Sequence, residues 1–227
     1  MPRRALIERR PWMLASMAAA IALAWAMLGQ PAPGIQSMVL AFAALGLLAV
    51  YALLRHRGSD TRLLGLMLGL EGIGMALGEV YPGAARLVLM LGWLAGLSLF
   101  LSHRVPTPDM GRRIGAGALL ILTPLLCWFA GDRAGESVPL FYGLALGALA
   151  GAAWMSSFPQ ARVGIGGVML VFSSVIGIAR GPAVGPDPAS ALAVWVLFYL
   201  GNLVLATGVT GELRRRVDHA AMDWSGR

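Results

Sequence analysis

The sequence predicts an all-α, polytopic integral membrane protein: a single bundle of eight transmembrane helices with both termini on the cytoplasmic side. Three observations predict it. The first is composition: 58% of the 227 residues are hydrophobic and 13% charged, against roughly 45–50% and 25% in soluble domains. Mean hydropathy is +0.73. Eighteen basic and eleven acidic residues cannot cover the surface of a soluble protein of this size. A water-soluble globular enzyme, a disordered chain and a disulfide scaffold are excluded. The second observation is that the apolar residues fall into eight runs of spanning length. The third is that the arginines segregate to one set of loops.

A spanning helix needs about 20 mostly apolar residues. The runs are 11–29, 35–54, 62–80, 84–102, 113–131, 137–156, 161–180 and 190–210. Each gap carries Pro, Gly, Asp or Arg, which end helices or meet water. The short connections QPAPG (30–34) and DRAGE (132–136) predict tight turns and antiparallel neighbours. The basic start MPRRALIERRPW ahead of an apolar run also has the look of a signal peptide. Its length is that of a span and no clean cleavage site follows, so a retained first helix is expected.

Arg near span ends stays on the cytoplasmic side. All eighteen basic residues are Arg. With the N-terminus inside, fifteen of them fall in cytoplasmic segments, and only Arg86, Arg133 and Arg180 fall outside. Three regions result: a basic cytoplasmic N-terminus at 1–10, the bundle at 11–210, and a cytoplasmic tail at 211–227. The expected location is a cytoplasmic (inner) membrane of bacterial type. Topology and anionic headgroups account for the net charge of +7, and no nucleic-acid partner is expected. The single cysteine, Cys127, lies in an apolar run and reads as a small core residue.

Gly143, Gly147 and Gly151 form a small-residue ridge on the sixth helix, and Gly92 with Gly96 another on the fourth. Such spacing lets helix backbones approach closely in lipid. The glycines of GIGMALG (72–78) and GIGG (164–167) follow no strand and do not read as phosphate loops.

Carboxylates inside a bilayer carry a functional hypothesis by default. Only Glu71 and Glu79 lie in spans, both on the third helix, Glu71 near the midplane and Glu79 near the outer end. They are about 12 Å apart along the axis and about 80° around it, too far to share a proton. A structural hydrogen bond is the plain alternative for Glu71, and a solvated helix end for Glu79. Tyr142, Ser173, Ser174, Tyr199 and Asn202 are the other polar residues at depth. Each has a bland role as interhelical glue, and together with the glutamates they line one polar cavity opening outwards. His56, His103 and His219 are scattered, with no metal-ligand spacing, so neither a metal nor a cofactor is expected.

The segments VPLFYGLALGALAGAAW (138–154), ARVGIGGVMLVFSSVIGIARG (161–181) and ALAVWVLFYLGNLVLATGV (191–209) resemble the C-terminal half of the YhhN-like lysoplasmalogenases, small eight-span membrane proteins. RPWMLASMAAA (10–20) and LGEV (77–80) are compatible with the N-terminal half. The resemblance implies hydrolysis of the vinyl-ether bond of a lysoplasmalogen drawn from the bilayer, giving fatty aldehyde and glycerophospho-alcohol. Such a bond opens by protonation at carbon, leaving an oxocarbenium ion for water to capture. A membrane-buried carboxylic acid suits the first step. A second carboxylate would stabilise the cation or activate water, as in glycosidases.

The family typically has Gly-Asp late in its third span and Ser-Asp in its seventh. Here Gly78-Glu79 keeps the carboxyl, and Ser173-Ser174 loses it. The family's fourth-span His has no counterpart, since His103 lies at the end of that helix. Phe198-Tyr199 and Asn202 stand where the family has paired aromatics and an amide. Three readings follow. The first is a hydrolase with Glu79 as acid, Ser174 and Tyr199 positioning water, and Glu71 as the second carboxyl. The second is a non-catalytic lysolipid-binding protein. The third is a small transporter with Glu71 coupling protons, weakened by the lack of an internal repeat. Arg180 either pairs with a lipid phosphate or anchors its helix at the interface.

Overall fold

The structure is a computed structural model that describes residues 10–29, 34–56, 58–78, 80–138, 140–181 and 187–225, the side chains of 220–225 apart. Within them the chain is helical throughout, apart from short connections and one isolated bridge between Arg104 and Ser156. The helices are α1 (Arg10–Gly29), α2 (Ile35–Arg55), α3 (Ser59–Leu77), α4 (Pro82–Ser102), α5 (Met110–Ala134), α6 (Leu140–Met155), α7 (Ile165–Ala179) and α8 (Pro188–Ser225). A π-helical turn, Gln160–Gly164, leads into α7. Six of these segments are long and apolar enough to cross a membrane: α1, α2, α4, α5, α7 with its π-turn, and α8. Large apolar side chains such as Trp25, Ile35, Leu87, Ile121 and Phe141 point outwards and are exposed. In water such a surface would aggregate; against lipid it is the expected face. The protein is an all-α membrane protein.

Local chemistry sets the helix ends. Asp109 accepts a hydrogen bond from the Arg112 backbone N–H at 2.7 Å and caps α5. Pro82 opens α4, where a missing N–H costs nothing. Asp187 caps α8, accepting from the backbone N–H groups of Ala189 (3.2 Å) and Ser190 (3.0 Å). At the end of α5, Gly135 adopts φ +68° and its N–H returns to the carbonyls of Gly131 and Asp132. This left-handed cap needs glycine. It corrects the expected turn at 132–136: Asp132, Arg133 and Ala134 are the last residues of the helix. The other expected turn, at 30–34, falls outside the described residues except for Gly34.

Residues after 210 continue α8 without a break to Ser225. No proline interrupts them, and the Glu212–Arg216 and Arg214–Asp218 pairs sit one helical turn apart, at 3.2 and 3.9 Å.

Sequential helices pack as neighbours apart from α4 and α5, and α8 returns to lie against α1 and α2, while α4 meets α6. The helices therefore close a circuit from α1 through α4, across to α6, and on through α7 and α8. The fifth helix lies outside this circuit, against α6 and α7.

The glycine ridges do what lipid packing requires. Any Cβ at Gly143 would stand 2.6 Å from Pro124 Cα, at Gly147 2.8 Å from the Leu119 carbonyl, and at Gly151 3.0 Å from that of Ala116. All three press α6 onto α5. At Gly92 and Gly96 the same role falls to α4 against α3 and α6.

Two measurements test this account. Gly147→Leu should lower the thermal unfolding midpoint in detergent, at a cost of about 1–3 kcal/mol. Gly117→Leu, where a Cβ meets nothing within 4 Å, should not. The Asp187 carboxyl is held below the ordinary aspartate range by hydrogen bonds from the Ser190 side chain and backbone and from Ala189, with Arg180 adding attraction. Because the folded value is depressed, its contribution is complete above the ordinary range and fades as pH falls below it. Hydrogen-exchange protection at the start of α8 should fall in that acidic window, and Asp187→Asn should remove the dependence.

Candidate functional site

Glu71 lies two-thirds of the way along α3 and is fully buried, the one such carboxyl among the described residues. Its position follows from helix packing. Gly92 on α4 lets the two backbones meet, so that a Cβ there would touch the Met67 carbonyl (3.1 Å) and Glu71 Cγ (3.5 Å). The next residue, Trp93, is fully buried and turns its indole towards the carboxyl. From across the bundle, the Asn202 amide on α8 faces the same group. Among the described residues no donor meets either Glu71 oxygen at hydrogen-bonding distance and angle, and Trp93 Nε1 and Asn202 Oδ1 are likewise unmatched. Asn202 Nδ2 donates instead to the Phe198 carbonyl at 3.2 Å.

The cluster extends through Tyr142 on α6, whose ring meets Trp93 edge-on with centroids 4.8 Å apart. The Ser174 hydroxyl on α7 faces the Tyr142 hydroxyl, and Glu71, Cys127 and Arg86 lie within electrostatic range of it. Five helices thus each contribute one polar side chain to a region inside the closed circuit. Arg86, near the start of α4, marks the edge of this region and is ion-paired with Glu136 in the α5–α6 connection. It also donates to the Ser137 carbonyl at 3.4 Å.

The expected site residues therefore divide. Glu71, Tyr142, Ser174 and Asn202 come together. Tyr199 does not join them: its hydroxyl shares a 2.9 Å hydrogen bond with Ser16 on α1, and Ser16 donates on to the Ala44 carbonyl at 2.6 Å. Ser173 donates to the Val194 carbonyl at 2.8 Å and ties α7 to α8. Arg180 sits past the end of α7 and reaches the Asp187 carbonyl at 3.4 Å. Glu79 lies outside the described residues. His103, at the other end of α4, stands 3.4 Å from Asp60 and stacks towards Phe158. Trp93 is ten residues away, about 15 Å along the helix.

Trp93 and Arg86 are the members of this region that the sequence reading passes over. Trp93 leaves a signal in GWLAG (92–96), where an indole N–H lies mid-span between two small residues. Tryptophan in membranes belongs at the interface, so one at mid-depth must find a polar neighbour. Arg86 leaves none, because its partner Glu136 is fifty residues on in an unrelated connection.

Among the described residues no three His, Cys, Asp or Glu side chains come together as metal ligands. Comparison with protein-family profiles, curated proteins and solved structures gives no match to this chain.

What the arrangement can do is narrow: it can present a carboxyl group, two hydroxyls and an amide to a molecule that enters from lipid. The Tyr199–Ser16 bond, by contrast, is a staple. Tyr199→Phe should cost about 0.5–1.5 kcal/mol in thermal unfolding, and ligand binding in the unfolded-corrected fraction should be unchanged.

Proposed function

We propose that the chain is a membrane hydrolase that cleaves the vinyl-ether bond of lysoplasmalogen-type lysolipids, with Glu71 as the proton donor. The observation that carries this reading is the Glu71 carboxyl, fully buried, faced by Trp93 and Asn202, and met by no donor among the described residues. A carboxyl kept for structure at such depth is normally tied to donors or to a cation. One left untied is available to a substrate. The substrate class comes from the resemblance to YhhN-like lysoplasmalogenases.

In this mechanism the neutral acid of Glu71 gives its proton to the vinyl carbon remote from oxygen. The resulting oxocarbenium ion lies beside the Glu71 carboxylate just formed, which stabilises it. Water adds to the cationic carbon and its proton returns to Glu71. The hemiacetal then collapses to fatty aldehyde and glycerophospho-alcohol. The Tyr142 and Ser174 hydroxyls position the water, and the Asn202 amide donates to the carboxylate while it is charged. One carboxyl serves both steps, where the family pattern has two. Glu79, outside the described residues, is assigned no step.

The same reading takes all eight helices as spans, N-in and C-in, in a bacterial-type inner membrane. The partition of the arginines supports this orientation. With its 16 residues α6 covers about 24 Å, which a locally thinned bilayer or its flanking residues would accommodate. Non-catalytic lysolipid binding is the second reading. It is favoured by Ser174, which brings no charge to the position where the resemblance implies a carboxylate.

Aldehyde release from a lysoplasmalogen by the purified protein in detergent tests both. Glu71→Gln should lower release by about 100-fold or more, with binding of the non-cleavable alkyl-ether analogue retained. Undiminished release would move the acid to another residue. No release from the native protein, with a gain in Ser174→Asp, would establish the binding reading.

A further inference from the structure

At the end of the bundle where α8 emerges, the structure holds a cavity of about 550 Å³. Four arginines line it: Arg55 at the end of α2, Arg162 in the π-turn before α7, and Arg214 with Arg215 on α8. Two carboxylates, Glu212 and Asp218, share the wall. The positive-inside rule explains why arginines lie at this end, but not why three separate elements bring them around one space. Packing explains that. At Gly208 a Cβ would stand 2.9 Å from Val163 Cγ2 and 3.0 Å from Arg162 Cβ, so glycine there seats the π-turn directly on α8. One turn on, a Cβ at Gly211 would meet nothing within 4 Å, and this part of α8 forms an open wall. π-turns of this kind recur at functional sites, because one extra residue re-aims the side chains beside it.

The carboxylates do not neutralise the cavity. Glu212 is held by Arg216 at 3.2 Å, and Arg216 turns away to Ser157 and the face of Phe158. Asp218 faces Arg214 at 3.9 Å. Arg55 donates to the Tyr51 hydroxyl and lies over its ring, which fixes the direction of its guanidinium. Among the described residues no carboxylate lies within ion-pair distance of Arg162 or Arg215.

We propose that this cavity binds a phosphate-bearing anion, with Arg162 and Arg215 as its principal contacts and Arg55 as a fixed wall. Guanidinium forks match phosphate oxygens in pairs. The volume lies within the range of small-molecule sites, roughly 300–1,000 Å³, and admits a phosphate ester rather than the bare ion alone. The phosphate belongs either to the headgroup of an anionic lipid in the adjacent leaflet or to a soluble ester. The site is separate from Glu71 and does not depend on the hydrolase reading.

The test uses the full-length protein in two arms. In detergent, binding of inorganic phosphate and of glycerol phosphate is measured by calorimetry. In phosphatidylcholine nanodiscs doped with phosphatidylglycerol, retention of the anionic lipid is measured by native mass spectrometry. Saturable binding in the first arm identifies a soluble ester, and retention in the second alone identifies a headgroup. In whichever arm responds, Arg162→Gln with Arg215→Gln should weaken binding by about tenfold or more, and added salt should weaken it further. Gly211→Glu, which places a carboxylate in open space, should abolish it with the helical circular dichroism unchanged. Arg113→Gln removes a single charge at the same end of the bundle, outside the cavity, and should have little effect. Equal loss in Arg113→Gln would reduce the site to diffuse surface charge, and no saturable binding in either arm would overturn it.

Discussion

At Gly92 the fourth helix presents bare backbone to the third, close enough that any Cβ would touch both the Met67 carbonyl and the Glu71 side chain. In lipid, helices gain nothing from hydrophobic association and are held by close packing and a few polar contacts. The approach at Gly92 is therefore both the adhesive between α3 and α4 and the reason that Glu71 lies inside the bundle. A side chain at this point would push α3 outwards and carry the carboxyl with it. Trp93, the next residue, fills the space that the approach leaves, and Tyr142 packs on Trp93 in turn. The polar centre is thus positioned by a packing contact.

Its members are also unlike the other polar groups at depth. Ser16, Tyr199, Ser173 and Trp195 each end on a partner: Trp195 Nε1 donates to the Ala20 carbonyl at 3.0 Å, and the others form the bonds between α1, α2, α7 and α8. Polar groups spent on structure are matched, since an unmatched one costs on the order of 1–3 kcal/mol. Glu71, the Trp93 indole and the Asn202 carbonyl are unmatched and share one neighbourhood. Around α8 the contrast runs within a single turn of helix, between Tyr199, which is tied, and Asn202 Oδ1, which is not. That difference separates scaffold from site.

Much of this fold is legible from composition and spacing, because lipid constrains both. The eight apolar runs match the eight helices among the described residues to within a few residues, except at the C-terminal end of α8. The glycine ridge of Gly143, Gly147 and Gly151 packs closely, as its spacing implies, onto α5. Where prediction and structure differ, short-range chemistry decides. Gly135 in a left-handed cap carries α5 through Asp132 and Arg133, which polarity alone would assign to a turn. Ion pairs one turn apart carry α8 past 210. The site is less legible because a polar residue in a span has two uses, and spacing does not distinguish them. Tyr199 and Asn202 lie three residues apart on one helix, yet one faces α1 and the other Glu71. Only the packing of α8 across the bundle decides which face is which.

The arginines show the same division at the membrane surface. In the proposed orientation their number on each side is set by insertion, a rule indifferent to fold. Their convergence is set by packing: Arg162 reaches the α8 arginines only because Gly208 lets the π-turn rest on that helix. A surface charge kept for topology alone is best spread out, since like charges repel and a cavity desolvates them. Bringing Arg162 and Arg215, which meet no carboxylate among the described residues, to one space costs stability unless an anion occupies it. The basic cavity and the Glu71 centre are thus alike in kind. Each is a polar grouping that close glycine packing assembles and that its own members leave unmatched, one at mid-membrane depth and one at the end of the bundle. In both, the proposed ligand is the missing partner: a proton acceptor drawn from lipid at Glu71, and a phosphate at Arg162 and Arg215.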